Sequence, residues 1–559
     1  MKSLDEVRAE LTAPGQLFEM DEVDIRGVRT RVWKYAPPSL RAVLENSRGH
    51  GDKTYIAYED DHLTFEEHFR QAATFARRLT DRYGVRKGDR VAIAMRNRPE
   101  WFVAFWGAAA IGAVVVPLNA WWTGPELEYG LRDSGARVLV ADEERAGRVA
   151  DALPGLGLAT IVIGGQGTPP PGADAYDPVL GDVTETALPD AEIGPEDDAT
   201  IFYTSGTTGR PKGALGTQRN ITGNTLSLAY AMLAAGLQAG GRIEDLATPK
   251  QRITLTSLPL FHATGCHTVL VASAVLGGTI VLMRKWDAER ALQLIERERV
   301  TAFGGVPTMA WQLLTSPEFD KYDTSSLGSV SYGGSPAPPA LVEKIKELLP
   351  DRVPSNGYGL TETSAVTTYN SGINYLTHPD SVGPPVPVCD VKVVDPAGAE
   401  LPTGEVGELL VRGPNVIKGY WNAPEATARS FRDGWFHTGD LARVDENGFV
   451  YIVDRAKDML IRGGENVYCA EVESAMYDHP AVADAAVIGV PHEALGEEVG
   501  AVVCLRPGMT VTPEELRDFL RERIAAFKVP AHIWFREGEL PRNPAGKILK
   551  TKLRAELVG

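Results

Sequence analysis
Hydroxyls, glycines and a lysine crowd into Tyr203-Thr204-Ser205-Gly206-Thr207-Thr208-Gly209-Arg210-Pro211-Lys212-Gly213. Glycine permits positive φ and lets backbone N–H groups close around an anion. Ser205, Thr207 and Thr208 add hydroxyl donors, Thr204 precedes them, and Lys212 adds a point charge. The chemistry that suits such a set is the holding of a polyphosphate. It is not the common nucleotide loop, in which Gly-Lys-Ser/Thr follows four spacers. Here Pro211 stands before the lysine, and Gly213 after it offers no hydroxyl to a magnesium ion.

Other stretches carry their own chemistry. In Asn356-Gly357-Tyr358-Gly359-Leu360-Thr361-Glu362 an aromatic sits between glycines and a hydroxyl–carboxylate pair follows. A flat ring can stack on a purine, and a carboxylate beside phosphates acts through Mg²⁺. Trp435-Phe436-His437-Thr438-Gly439-Asp440 ends in a carboxylate able to accept two hydrogen bonds from a ribose diol. Ser331-Tyr332-Gly333-Gly334-Ser335-Pro336 offers close backbone approach, and Pro259-Leu260-Phe261-His262-Ala263-Thr264-Gly265 places a histidine after an apolar strand. Pro541-Arg542-Asn543-Pro544-Ala545-Gly546-Lys547 sets a lysine on a turn from which it can reach into a cleft.

The elements that must position these groups alternate. Thr64 and Glu67 form a capping box ahead of Phe65, Phe69, Ala72, Ala76 and Leu79, one face of a helix. Strand-like runs at Val91-Met95, Val138-Ala141, Thr160-Ile163, Ala199-Phe202, Ile253-Ser257, Thr279-Met283 and Ser329-Tyr332 interleave with helical patterns. That is an α/β architecture with largely parallel sheets. Gly164-Asp190 reads as a loop or linker. From about residue 380 short strands and tight turns (Val391-Val394, Gly407-Val411, Phe449-Val453) mark a β-rich subdomain, and another α/β pattern, with a helix over Glu514-Phe527, runs to the end.

With 559 residues the chain needs more than one domain. Its net charge of −17 and lack of a basic cluster argue against nucleic acid as a partner. Cys266, Cys389, Cys469 and Cys504 show no CxxC spacing, and no apolar leader opens the chain, so a cytoplasmic protein is expected. Trp101 to Pro125 carries a single charge-free run, but its glycines and Pro117 favour a buried helix and strand over a membrane span; peripheral membrane contact and a homodimer stay open.

Together these motifs resemble the adenylate-forming superfamily, in particular its acyl-CoA synthetases (fatty-acid–CoA ligases), over nearly all the chain beyond residue 50. The resemblance implies a large N-terminal domain (1–455) of α/β subdomains plus a β-rich subdomain, binding ATP and the acid, and a small mobile α+β lid (456–559). It implies ATP and AMP binding by Thr204, Ser205, Gly206, Thr207, Thr208, Gly209, Lys212, Gly333, Gly334, Ser335, Asn356, Gly357, Tyr358, Gly359, Asp440 and Arg455. Thr361 would contact the α-phosphate, and Glu362 with Thr204 would hold Mg²⁺. Lys547 would be the catalytic lysine of adenylation, Lys457 the hinge, and Gly463, Gly464 and Glu465 the loop on the CoA side. His262 would line the acyl site with Phe261, Thr264, Gly265 and Val306. Two departures stand out: Asn356 where relatives often have Gln, and Cys469 where many have Pro.

The implied activity is ATP-dependent conversion of a carboxylic acid to an acyl-adenylate, then to acyl-CoA. The apolar or small residues of the pocket stretches lean toward a medium- or long-chain fatty acid or a similar apolar monocarboxylate. The alternatives are transfer to a carrier-protein phosphopantetheine and a non-catalytic nucleotide-binding homologue. The chain ends twelve residues past Lys547, an expectation against one module of a peptide synthetase.

Overall fold
The computed structural model describes residues 2–164, 169–204, 210–243, 251–333, 339–349, 353–463, 465–543 and 546–558. Ser205, Gly206, Thr207, Thr208, Gly209, Gly334, Ser335 and Gly464 lie outside them.

Two eight-stranded sheets dominate. The first is built on β1 (Arg90–Ala94), β2 (Val114–Pro117), β3 (Val138–Asp142), β4 (Ala159–Ile163) and β5 (Asp198–Thr204), with β6 (Lys212–Thr217) returning antiparallel to β5. Across the sheet the order is β6-β5-β2-β1-β3-β4, with Gly419–Tyr420 beyond β6 and Ala173–Ala175 beyond β4. The second contains β7 (Thr279–Leu282), β8 (Ser329–Gly333) and β9 (Val353–Tyr358), parallel to Ile253–Thr256, Ala302–Gly305 and Thr54–Tyr58 and closed at each edge by an antiparallel strand.

The helices Phe65–Asp81 and Pro99–Ala110 lie between the sheets. One core joins Val91, Val115 and Val140 of the first sheet to Ile56, Ile280 and Leu282 of the second through Phe69, Phe75, Trp101, Phe102, Phe105 and Trp106. A helix covered on both sides has no polar face to show, which is why the stretch after Glu100 lacks charge. Among the described residues no helix is long and apolar enough to cross a membrane. The Thr64 cap forms as the spacing predicts: Glu67 N donates to Thr64 Oγ1 at 3.1 Å, and Thr64 N to Glu67 Oε2 at 2.9 Å.

An antiparallel sheet follows, centred on Gly407–Arg412, β10 (Trp435–Val444) and β11 (Val450–Arg455). The small C-terminal sheet pairs Val482–His492 with Gly496–Leu505 over its own core of Val472, Met476, Val487, Val503, Leu516 and Leu520.

Two expectations need correction, and one helix takes a form the sequence does not indicate. The final amphipathic helix stops at Arg521, not Phe527. It resumes only as a short turn, Ala526–Lys528, which lets Phe519 and Ile524 pack beside Leu516 and Leu520. The Gly164-Asp190 linker holds the edge strand Ala173–Ala175 and the helix Tyr176–Leu180, anchored by buried Tyr176 and Val179. The buried helix before Gly277 opens as a π-helix over Thr264–Val271, a widened turn that hydrophobic periodicity does not reveal.

Candidate functional site
The strand ends meet at one edge. β5 stops at Thr204, which pairs with Lys212 at the start of β6. Gly419–Tyr420 pairs with β6 and places the Tyr420 ring 5.2 Å from Lys212 Nζ. The Tyr420 hydroxyl donates to Glu362 Oε1 at 2.9 Å, and Ile417 N donates to the Glu362 carbonyl at 3.0 Å. A cation, an aromatic and a carboxylate thus stand in line. Burial raises the Glu362 carboxyl above its ordinary range, against the pull of Tyr420 and Arg455. An oxygen-only carboxylate in need of positive charge suits a hard divalent cation. Among the described residues no three His, Cys, Asp or Glu gather as a metal cage, so an ion at Glu362 and Thr204 would complete its shell with phosphate and water.

β9 delivers Asn356, Gly357 and Tyr358. Beyond it the chain turns sharply. A Cβ on Gly359 would fall 1.5 Å from the Ala365 carbonyl oxygen, and Ser364 and Ala365 hold φ of 53° and 97°. Left-handed non-glycine residues cost energy and cluster where geometry matters. This turn presents Thr361 and Glu362 in the 3₁₀ segment Thr361–Thr363, packed against β6.

The Tyr358 hydroxyl donates to Asp440 Oδ2 at 2.6 Å, and Arg455 Nε lies 3.2 Å from Asp440 Oδ1. Asp440 and Arg455 are register partners of β10 and β11. Burial and the Asp440 charge push the Tyr358 phenol well up, so it stays a donor. The two carboxylate oxygens offer about four acceptor positions, and these contacts leave room for a diol. The Tyr358 ring packs beside the β-rich core while its hydroxyl is tethered.

Lys547 arrives from the C-terminal domain. Its turn is closed by Asn543: Asn543 N donates to Lys547 O at 2.8 Å and Lys547 N to Asn543 Oδ1 at 2.9 Å. A Cβ on Gly546 would sit 3.2 Å from Val306 Cγ2, so the turn rests on the large domain. Burial, then the Arg455 and Lys457 charges, bring the Lys547 ammonium down to about 8, with Asp458 and Asp440 pulling the other way. Lys547, Arg455, Asp440 and Tyr358 therefore converge. Two cations held together in a chain of net charge −17 make a local anion site.

Three residues on, Lys550 Nζ meets Glu473 Oε1 at 2.7 Å. The Asp454 charge bears on the same lysine; Asp454 Oδ1 accepts from Arg455 N at 2.7 Å while its buried Oδ2 has no partner among the described residues. Lys457 follows, where Ala456 N donates to the Gly439 carbonyl at 3.0 Å. The structure does not bring the expected CoA-side loop to this cluster. Gly463 and Glu465 are exposed at the hairpin joining Leu460–Arg462 to Glu465–Val467.

On the apolar side, the Phe261 and His262 rings meet at a 53° tilt with centroids 4.8 Å apart. Burial brings His262 down to about 4, and its Nε2 has no partner among the described residues. His262 is therefore neutral at pH 7 and adds no charge to the pocket. A Cβ on Gly265 would lie 2.4 Å from the Pro259 carbonyl oxygen, so the π-helix can approach only with glycine there. Thr264 is exposed at its start and Val306 is buried.

The sequence reading missed three residues. Tyr420 bridges Lys212 and Glu362, but it sits on a two-residue edge strand with no motif. His267 Nδ1 lies 3.1 Å from the Ser364 carbonyl and its ring stands edge-on to Phe202, tying the π-helix to the strained turn. Lys550 reads in sequence only as another surface lysine beside Lys552.

The AMP-binding enzyme family model matches residues 43–421, and that of the AMP-binding enzyme C-terminal domain matches residues 471–547. The chain is similar to a feruloyl-CoA synthase of Amycolatopsis, 38% identical with 90% of this chain and 95% of that protein covered. It is similar to a long-chain-fatty-acid–CoA ligase of Bacillus subtilis, 36% identical with 93% and 94% covered. Among solved structures, the o-succinylbenzoate coenzyme A synthetase of Bacillus subtilis in complex with ATP and magnesium superposes with a TM-score of 0.78 at 32% identity, covering 92% of this chain and 99% of that one.

Proposed function
The chain belongs to the AMP-binding enzyme family as an AMP-forming acid–CoA ligase, and from that premise we propose that it activates an apolar monocarboxylic acid, a medium- or long-chain fatty acid or one of similar character. The observation that carries this reading is the grouping of Lys547 with Arg455, Asp440 and Tyr358; Phe261, neutral His262 and Val306 are the proposed uncharged acyl side.

In the first step the acid's carboxylate oxygen forms a bond to the α-phosphorus of ATP, and the bond from that phosphorus to pyrophosphate breaks. Both reactants are anions. Lys547 offsets their repulsion by bridging carboxylate and α-phosphate, which is electrostatic stabilisation with positioning. Tyr358 stacks on adenine, Asp440 accepts from the ribose hydroxyls with Arg455 fixing its orientation, and Thr361 orients the α-phosphate. Lys212 and the residues of the hydroxyl-rich loop receive the pyrophosphate. Thr204 and Glu362 would hold Mg²⁺, which when bound neutralises charge on that leaving group.

In the second step the CoA thiol loses its proton to water, its sulfur bonds to the acyl carbon, and the bond from that carbon to the AMP phosphate oxygen breaks, AMP leaving with the bonding electrons. With a proposed division into 1–455 and 456–559, rotation about Lys457 withdraws Lys547 and brings in the Gly463-Gly464-Glu465 loop, of which Gly463 and Glu465 are exposed. Feruloyl and long-chain fatty acyl relatives support an apolar acid.

The test is pyrophosphate release from ATP·Mg²⁺ with a panel of fatty, aryl and dicarboxylic acids, with and without CoA. Acid-dependent release that rises with CoA, fastest with a C8–C18 fatty acid, is expected. A dicarboxylate or ferulate as best substrate would sink the fatty-acid assignment.

A further inference from the structure
One face of the second sheet is only partly packed. Ile280 and Leu282 of β7 sink into the core between the sheets. Thr254 and Thr256 pair with them and share their face, and from there hydroxyls and glycines replace most apolar side chains. Thr256, Gly304, Ser331 and Ser355 lie side by side across four strands, and Ser329 sits one pleat back on β8. The opposite face is filled: Leu255, Phe303, Val330 and Tyr332 are buried with Leu292, Leu313 and Ile345.

Inner strands of a sheet covered on both sides are normally buried on both faces. Here Thr254, Gly304, Ser329, Ser331 and Gly333 stay partly exposed, alternating with buried neighbours. Yet this side has a roof. Leu270 and Val271 of the π-helix share the core with Ile280. The helix Gln218–Gln238 brings Ala235 Cβ within 3.8 Å of where a Cβ on Gly372 would stand, just past the edge strand Thr368–Ser371. In the middle of the sheet a Cβ on Gly304 would meet only Thr254 Cγ2, at 4.0 Å. Roofed but unfilled, the face forms a trough. Gly333 pairs with Gly357, next to Tyr358, so the trough opens on the nucleotide cleft.

Its wall and far end are polar. The Tyr369 hydroxyl donates to Ser355 Oγ at 2.9 Å, and Ser355 Oγ donates to Ser331 Oγ at 2.9 Å. At the far end Arg252 Nη2 donates to Ser329 Oγ at 3.3 Å. Burial pulls the Arg252 guanidinium below its ordinary value, and among the described residues no carboxylate pairs with it. A desolvated guanidinium with five N–H donors, held by one hydroxyl, is short of acceptors. Ser329 lies four residues back from Gly333 along β8, about 13 Å deeper at ~3.3 Å per residue.

We propose that this trough takes the stem of the acid and that Arg252, with Ser329, binds an oxygen-bearing group at the stem's far end. The substrate class is then an acid with an apolar stem and a hydroxyl, carbonyl or carboxyl group about 13 Å from the reacting carboxylate. The assignment rests on the ligase reading for the reacting end. Ile280 and Leu282 flank the trough along the stem, and Arg252 gains the acceptor that the protein does not supply.

The experiment measures acid-dependent pyrophosphate release from ATP·Mg²⁺ with CoA by the full chain. Decanoate, 10-hydroxydecanoate and decanedioate are compared, with octanoate and 8-hydroxyoctanoate as shorter controls. The wild type is set beside Arg252→Met, Arg252→Lys and Gly304→Leu, and binding of the same acids is followed by calorimetry. The wild type should favour the oxygenated ten-carbon acids over decanoate by about tenfold in kcat/KM, through KM. The eight-carbon pair should differ little, because its hydroxyl falls short of Arg252. Arg252→Met should abolish the preference by weakening the oxygenated acids and favouring decanoate, and Arg252→Lys should restore part of it. Gly304→Leu tests the trough without touching the buried arginine: it should move the optimum from ten carbons to eight or fewer. Decanoate equal to its oxygenated partners in the wild type, an unaltered ratio in Arg252→Met, or an unaltered length preference in Gly304→Leu overturns the subsite. Decanedioate ahead of 10-hydroxydecanoate keeps the subsite and removes the monocarboxylate part of the ligase reading. Calorimetric preference for the oxygenated acids that depends on Arg252, in a protein that releases no pyrophosphate, leaves the subsite standing and removes the ligase reading itself.

Discussion
Lys547 holds its charge in surroundings that disfavour it, and that tension makes its role testable. Its ammonium titrates near 8, held there first by burial and then by Arg455. The charged form exists below that value and is lost as pH rises through it. The kcat/KM for acid-dependent ATP–pyrophosphate exchange should therefore be level up to about pH 7.5 and fall about tenfold per unit above about 8.5. Bound ATP adds negative charge, so the kcat limb should lie at higher pH. Lys547→Met should lower exchange by about 10²–10³ while leaving thioester formation from supplied acyl-adenylate intact. It should not lower the melting temperature, because it removes a charge that burial penalises. Loss of both half-reactions would make Lys547 structural. Tyr420→Phe removes the donor to Glu362 Oε1 and keeps the ring beside Lys212. Its effect should fall on the magnesium and ATP dependence of exchange and not on KM for the acid.

Elements decide how precisely these residues sit. Lys550, 20% exposed, pairs with Glu473, 16% exposed, at the base of the turn that carries Lys547. Lys550→Met strands the Glu473 and Asp454 carboxyls and should cost about 3 kcal/mol of stability, read as a lowered denaturant midpoint. It should also slow exchange by misplacing Lys547, whereas Lys552→Met, at an exposed position, should do neither. Gly359→Ala meets the Ala365 carbonyl at 1.5 Å and should disrupt the turn holding Thr361 and Glu362. What the sequence made legible at this scale follows from what periodicity encodes. Thr64 with Glu67, and the apolar runs before Thr204 and after Gly278, are local signals, and the elements form where they point. The π-helix is not wholly local: besides Gly265 lying under nearby Pro259, it is tied by His267 reaching Ser364, 97 residues away. Tyr420 and Lys550 escaped for the same reason. Their partners, Glu362 and Glu473, are 58 and 77 residues away, and nothing in either neighbourhood marks the pairing. Asp440 and Arg455 were readable as single residues, but their register across β10 and β11 is a property of the folded sheet.

At the scale of the whole molecule, one cleft must serve two reactions whose requirements conflict. Adenylation needs a cation between two anions; thioester formation needs the thiol to reach the acyl carbon along a path that Lys547 and its turn help to fill. Gly546, in the Lys547 turn, lies against Val306 and Gly463 is exposed, as the proposed adenylation step requires. The link between the domains is thin at the proposed pivot. Ala456 N bonds to Gly439 O, and Asp458 N and Met459 N bond to Arg455 O at 2.9 and 3.0 Å. A proline at 457 would fix φ near −65° and restrict Ala456 before it. If rotation about Lys457 switches the cleft, Lys457→Pro should leave acid-dependent pyrophosphate exchange within about threefold and slow acyl transfer to CoA by about 10²-fold. Single-turnover reactions started from acid and ATP, then chased with CoA, separate the two. Accumulated acyl-adenylate that reacts slowly with CoA would mark a lid that cannot turn. Equal loss in both steps would place the pivot elsewhere, and unchanged transfer would mean that the hairpin reaches the acyl carbon without rotation at this residue.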